Sequence, residues 1–555
     1  MRIRTALMLA VPLVAALARG DSKDWLAYGY DQRHFSKQPN ETALTPPAVE
    51  QSLHQNFDFA IPGAGGGQSF GFSASPSIYN DVAYVGALNG VFYAIYGTGP
   101  DKGKLKWQYP PAAATKPDDC GITTQPLQIG QGSGNPSGPG IASSAAIVSG
   151  VPGHARAVIF GAPDGSSNGG DGRVWALDAE NGRCIWKSPV LAPMAGSAKI
   201  GYSSPVVAHD RVYIGVSAKN PDYPITIGHL FAINLADGSQ DTAFGFTATS
   251  GPAGGGIWSS PAITPNGNVI VTTGNSCTDT TKPNCQNQPA INYALSMLEL
   301  DWRTGKVLWQ VQPVPWMLDD DPDWAASPSV GRVSCGNLAM GVQKDGYVYA
   351  VDLPNGGSHS NPVCSSPQHA LECPRWSFPH VAQLPFTGGI HNDTRFIRMA
   401  AMDGDRLYVI AAGPATAAIP ALTRTNRLYS LDVCGSEANR LRWILDVPNG
   451  SAPGPPSTAN GVIYIGTHDA YDFNPVAHHL LAYADITVRR PNTAVCSFPG
   501  LPPGRQCAQA GFRDLPVPVL LKDLPVVGGI PGVPAISNGQ VYVATAAGHV
   551  TGFTP

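Results

Sequence analysis

A short pattern that returns along nearly the whole chain constrains its fold more than any other feature. Aromatic or branched residues alternate with small or polar ones in Val91-Phe-Tyr-Ala-Ile95, Gly172-Arg-Val-Trp-Ala-Leu-Asp178 and Gly228-His-Leu-Phe-Ala-Ile-Asn234. The run recurs as Ala294-Leu-Ser-Met-Leu-Glu-Leu-Asp301, Gly346-Tyr-Val-Tyr-Ala-Val-Asp352, Asn426-Arg-Leu-Tyr-Ser-Leu-Asp432, His479-Leu-Leu-Ala-Tyr483 and Gly548-His-Val-Thr-Gly-Phe553. Several copies lead on to a Gly and a Trp, as at Gly182 and Trp186, Gly305 and Trp309, and more loosely Asp432 and Trp443. A small-residue step precedes them at Ser75-Pro76, Ser144-Ala145, Ser204-Pro205, Ser260-Pro261 and Ser327-Pro328, and in weaker form at Pro456 and Pro534. Each unit reads as a four-stranded antiparallel meander, and there are eight, at a spacing of roughly 65 residues.

One such meander cannot bury both of its faces, so neighbours must pack radially around an axis. The expected architecture is therefore all-β, an eight-bladed propeller of four-stranded antiparallel blades. The eighth unit stops at Pro555, where the others would begin their last strand, while an orphan alternating run, Leu53–Ala60, precedes the first unit. An N-terminal strand that completes the C-terminal blade would pair both open edges and close the ring. The expected organisation is a signal peptide over 1–18, an N-terminal segment with the closing strand over 19–72, and the propeller over 73–555.

Composition agrees with short strands joined by turns. Charged residues make up 13% of the chain, about half the usual share, against 63 glycines and 52 prolines. Inserts at 111–140, 218–227, 275–292, 354–393 and 491–523 are rich in Gly, Pro, Asn and Cys and read as loops at the two faces. A net charge of −4 with no Lys/Arg runs argues against nucleic acid as a partner.

The first residues, Arg2 and Arg4 followed by an apolar run from Ala6 to Leu17 and the small-residue step Ala16-Leu17-Ala18, have the form of a secretory signal. That run is short for a bilayer span and no second candidate follows, so the expected location is secreted, extracellular or periplasmic, with no membrane span. Export makes the ten cysteines a disulfide set. Close pairs such as Cys277/Cys285, Cys364/Cys373 and Cys496/Cys507 could staple inserts, but ten cysteines allow on the order of a thousand pairings. No Cys-x-x-Cys-His occurs, so the chain carries no covalent c-type haem. Asn40, Asn392 and Asn449 head glycosylation sequons, which leave the organism open.

The repeat of aromatic-Ala-Leu-Asp-x-x-x-Gly-x-x-x-Trp resembles that of pyrroloquinoline-quinone-dependent, quinoprotein alcohol dehydrogenase-like propellers, and Trp25-Leu-Ala-Tyr-Gly-Tyr-Asp-Gln-Arg-His-Phe-Ser36 resembles the family's opening segment. The likeness covers almost the whole mature chain, and the inserts with Asp323-Trp-Ala-Ala-Ser-Pro328 are most similar to the polyvinyl-alcohol-dehydrogenase-like branch. The resemblance implies pyrroloquinoline quinone lying on a tryptophan floor near the axis, with calcium polarising its carbonyl. Trp258, in Gly256-Ile-Trp-Ser-Ser260, matches the floor, and its flat indole suits a tricyclic ligand; a Trp wedged between blades would read the same way. Asn275 matches the metal-binding amide, whose oxygen suits a hard cation, although Asn after Gly is also an ordinary turn residue.

Asp319, Asp320, Asp321 and Asp323 form an acidic cluster where the family places its catalytic base and a further metal ligand; Asp321 and Asp323 fit best, with a solvated acidic loop as the alternative. Lys344 matches the cation aimed at the quinone oxygens, and also sits beside an Asp-Gly hairpin turn where an exposed Lys is common. The implied reaction is oxidation of a small or polymeric alcohol, with electrons passed to an external acceptor. Three departures stand against it. The family's adjacent Cys-Cys is absent, with Cys120 alone in that insert; Ala142 stands near the expected Arg; and Lys219 or Asn220 replaces a metal-binding Glu. A propeller without cofactor, used as a binding or scaffold module, is the rival reading.

Overall fold

The computed structural model describes residues 23–62, 71–112, 120, 140–163, 171–192, 198–200, 202–218, 225–277, 291–313, 322–324, 326–344, 346–353, 374–378, 395–396, 399–412, 427–447, 452–468, 478–488 and 517–555. Among them the chain forms eight separate antiparallel sheets, each built on a four-stranded meander, in an eight-bladed propeller. Blade 4 comprises Ala262–Ile263, Val269–Thr272, Met297–Leu300 and Val307–Val311; blade 5 comprises Ser329–Val333, Gly336–Gln343, Tyr347–Leu353 and Trp376–Phe378. The middle strands are buried along almost their whole length, as in Val269–Thr272 and Tyr347–Val351, because a neighbouring blade covers each face. In blades 3, 6 and 7 a further two-residue strand pairs with the second strand: Ala198–Lys199, Arg395–Phe396 and Ala452–Pro453.

The eighth blade closes as expected. His54–Ala60 pairs antiparallel with His549–Thr554, bringing His54 opposite Thr554 and Ala60 opposite His549. Phe57 and Phe59 turn inward to the core, and Asp58 on the other face accepts from Thr551 Oγ1 and pairs with His549 Nδ1, both at 2.7 Å. The seam is thus held by ladder bonds, two buried rings and a polar clasp.

Hydrophobic contact is distributed as clusters between adjacent blades. Tyr84, Phe92 and Trp107 of blade 1 pack with Ile147, Phe160 and Trp175 of blade 2, for example. Fourth-strand tryptophans lock onto the next blade: Trp107, Trp186 and Trp376 donate their indole N–H to the carbonyls of Ala179, Leu235 and Val433. Trp443 of blade 6 instead reaches a carboxylate of blade 7, Asp485, while Trp309 of blade 4 donates within its own blade to Glu299 on the adjacent strand.

One expected loop is partly a strand. The insert at 491–523 ends inside Val517–Val526, the fourth strand of blade 7, which pairs with His478–Val488. The insert's Gly, Pro, Asn and Cys content reads as loop, yet an outermost strand tolerates prolines such as Pro518 because one of its edges needs no ladder partner.

Two disulfides join described residues, Cys120–Cys184 and Cys335–Cys434, across 64 and 99 residues. Cys120 is therefore tied to the fourth strand of blade 2. Cys277 is also disulfide-bonded, while Cys285, Cys364, Cys373, Cys496 and Cys507 lie outside the described residues, as does the expected signal peptide.

Candidate active site on the propeller axis

The first strands of successive blades adjoin one another around the axis, and a relay of serines joins their leading ends. Ser75 N–H donates to Ser144 Oγ, Ser144 N–H to Ser204 Oγ, Ser204 N–H to Ser260 Oγ, and Ser260 N–H to Ser327 Oγ, at 2.8–3.0 Å. Val533 N–H of blade 8 donates to Ser75 Oγ at 2.7 Å. In blades 2, 3 and 4 the residue before the relay serine is also a serine and binds its own blade: Ser143 Oγ accepts from Gly161 N–H, Ser203 Oγ accepts from Gly215 N–H, and Ser259 Oγ donates to Thr272 O. The doublets thus pin these three blades both to themselves and to their neighbours.

One end of the axis is crossed by the N-terminal segment. The carbonyls of Trp25, Leu26, Gln32, Arg33, Phe35 and Ser36 accept in turn from Ile78, Ile147, Ile263, Val330, Met402 and Thr458, at 2.7–2.9 Å. These donors belong to the first strands of blades 1, 2, 4, 5, 6 and 7, and Gln38 Nε2 reaches the blade 8 carbonyl of Ile536. To follow this arc the strap takes positive φ at Tyr30, His34 and Ser36, conformations that cost about 1 kcal/mol or more each and are offset by the bonds they permit. His34 is buried and donates from Nδ1 to Pro328 O, and burial lowers its pKa to about 4.

Between the strap and the doublets lies a cavity of about 300 Å³, at the lower end of the range for small-molecule sites, lined by Tyr28, Tyr202, Trp258, Met399, His468 and the relay serines. Ala142, near the place of the expected Arg, also lines it. Trp258 immediately precedes the blade 4 doublet and is half-buried. Tyr202 precedes the blade 3 doublet in the same way, a position legible by aligning the doublets and missed by reading each unit alone.

The structure brings three of the expected site residues into contact. Trp258 donates its indole N–H to Asp323 Oδ2 at 3.0 Å. Lys344 Nζ lies 2.7 Å from Asp323 Oδ1 and 5.5 Å from the centre of the Trp258 ring. Asp323 is fully buried and Lys344 is 9% exposed, so the pair is screened from solvent, unlike the exposed turn lysine and solvated acid that sequence alone allowed. Lys344 sits at the hairpin after Gly336–Gln343, where Gly346 takes a φ of +91° that favours glycine.

Asn275 lies on the neighbouring segment, its carbonyl accepting from Gly255 N–H at 2.8 Å. Gly274 is required there: a Cβ would meet Gly256 O at 2.9 Å and approach Trp258 Nε1 to 3.6 Å. Asp319, Asp320, Asp321, Lys219 and Asn220 lie outside the described residues. Among the described residues no three His, Cys, Asp or Glu side chains assemble as a metal site.

Comparison with known proteins agrees with this architecture. The chain is 25% identical over 374 residues to a polyvinylalcohol dehydrogenase of Pseudomonas sp, the match covering 59% of this chain and 49% of that relative, so it spans about half of the relative's length. A quinohemoprotein alcohol dehydrogenase from Comamonas testosteroni superposes with a TM-score of 0.63 at 18% identity, covering 96% of this chain and 80% of that one. A europium-containing methanol dehydrogenase superposes with a TM-score of 0.62 at 14% identity, covering 96% and 98%. At such identities the superpositions speak to the fold. Residues 71–359, just over half of the sequence, match the PQQ_2 family, described as "Outer membrane protein assembly factor BamB". The chain belongs to this family of pyrroloquinoline-quinone-type propellers.

Proposed function

We propose that the protein is an exported quinoprotein-type oxidoreductase that oxidises an alcohol and passes the electrons to an external acceptor. The observation that carries the reading is the contact of Trp258, Asp323 and Lys344 beside the axial cavity: a flat indole with a buried ammonium held over it. A planar, acid-bearing heterocycle finds there a stacking surface and a positive charge. The alcohol dehydrogenase activities named for the relatives support the same reading.

Pyrroloquinoline quinone, when bound, would supply the two-electron acceptor that no side chain offers. Trp258 would support its plane, and Lys344 would stabilise negative charge developing on its oxygens. Oxidation of an alcohol also releases its hydroxyl proton, which a carboxylate from the Asp321 to Asp323 segment would accept. Asn275, which follows the Gly274 packed beside the Trp258 indole, would take part in holding the ligand. A calcium ion, when bound, would supply Lewis-acid polarisation of the quinone carbonyl, with Asn275, Asp323 and Asp321, the last outside the described residues, as its expected oxygen donors.

The test is uptake of pyrroloquinoline quinone by the purified chain, with and without calcium, followed by dye reduction with primary, secondary and polymeric alcohols. Micromolar binding that weakens in Trp258→Ala is expected. If no quinone binds, the oxidoreductase reading fails and the binding module stands.

A further inference from the structure

We infer that the axial cavity is a binding site for a small monovalent anion of the halide class, held by the hydroxyl protons of the relay serines Ser75, Ser144, Ser204, Ser260 and Ser327. The site stands apart from the proposed function. Of the groups assigned to the quinone, only Trp258 borders the cavity; Asn275, Asp323 and Lys344 do not.

Each of the five serine oxygens accepts a main-chain N–H, from Val533, Ser75, Ser144, Ser204 and Ser260 in turn. A hydroxyl can donate as well as accept. Among the described residues, however, none of the five donates its own proton to an acceptor. All five are buried, from 1% exposed at Ser75 to 6% at Ser327, and all border the same cavity. A buried donor is costly to leave unmade, so an arc of them along one wall calls for an acceptor inside it.

The chemistry of the arc sets the sign of that acceptor. Accepting an N–H draws density from each oxygen and strengthens its O–H as a donor. No carboxylate is among the described residues that border the cavity, whereas His468 of blade 7 stands in the gap that the arc leaves at blades 6 to 8. A hard cation would want carboxylates or unengaged oxygens. A phosphate would want Arg or Lys. A ring of neutral donors suits a single, diffuse negative charge. At about 300 Å³ the cavity admits a halide with several waters, each occupying about 30 Å³. Gly532 keeps the arc intact on the blade 8 side, since a Cβ there would meet Ser75 Oγ at 2.9 Å.

The experiment uses the full chain without quinone, crystallised from rubidium bromide, with data collected at the absorption edges of both ions. A bromide peak among the five hydroxyls is expected, and bromide line broadening in solution should give a millimolar dissociation constant. Ser204→Ala and Ser260→Ala should each weaken binding about tenfold, the effect of losing one hydrogen bond to a charge. Ala142→Leu, which fills the cavity and keeps every relay bond, should abolish it. Adding pyrroloquinoline quinone to saturation should leave the bromide in place.

Water alone within the arc, rubidium in place of bromide, or titrations unchanged in Ser204→Ala and Ala142→Leu overturns the inference. So does displacement of bromide by the quinone, which would make the cavity part of the cofactor's own site. If the serine variants do not fold, the wild-type anomalous maps and Ala142→Leu decide the point. If no quinone binds, the oxidoreductase reading fails while the bromide results still judge the anion site.

Discussion

The two ends of the propeller axis are built on opposite principles. At the strap end, main-chain carbonyls of residues 25–36 accept from the first strands of six blades, and the buried side chains include neutral His34. At the other end, the segments after and before the strands converge through side chains, and a carboxylate and an ammonium are buried together beside an indole. Main-chain bonding satisfies every group it uses and gains stability without needing particular residues. A buried ion pair contributes little net stability, because desolvation offsets its attraction, but it fixes charge and geometry. The comparison teaches that one end of the axis holds the ring together and the other is equipped to hold something else.

The largest test of this contrast is removal of the strap. At about 1 kcal/mol per hydrogen bond, deleting residues 23–38 costs on the order of 10 kcal/mol, comparable to the whole stability of many domains. The truncated chain should lose its cooperative unfolding transition by circular dichroism; a transition that survives with an unchanged midpoint would show the strap to be ornamental.

Next is the opposite end. Lys344→Met leaves Asp323 buried without its cation, which costs about 3–5 kcal/mol, read as a lowered urea midpoint. Replacing both members, Asp323→Leu with Lys344→Met, should recover most of that loss while abolishing quinone uptake, separating stability from function at this end. Failure of the double variant to recover would mean that the ion pair is itself structural.

The smallest effect concerns pH and belongs to the strap. The pKa of His34 is about 4 in the fold and about 6.5 when unfolded, so the unfolded chain binds the extra proton between these values. His34 therefore contributes full stability above pH 6.5, and that contribution falls as pH drops towards 4, by about 3 kcal/mol in all. Unfolding midpoints measured across this window should show the decline, and His34→Gln should flatten it.

Much of this molecule was legible in its sequence. Eight recurrences of one strand, together with a missing strand at one terminus and an orphan at the other, led to the propeller and its closure. Trp258, Asp323 and Lys344 could be singled out separately. Their contact could not, since 65 residues separate the indole from the carboxylate and the bond depends on how blades 4 and 5 meet. The strap's path was equally hidden, because its bonds run through carbonyls that every residue carries. The strand Val517–Val526 was obscured by prolines that only an edge position tolerates.

What the sequence by itself determined was therefore the periodic part: the strands, their number, and the need to close a ring, all of which follow from local alternation repeated until no edge is left. The tertiary structure decided what happens on the axis. There the serine doublets, the strap and the carboxylate between Trp258 and Lys344 owe their roles to distances between blades, and such distances are set by packing around the ring and leave no period to read.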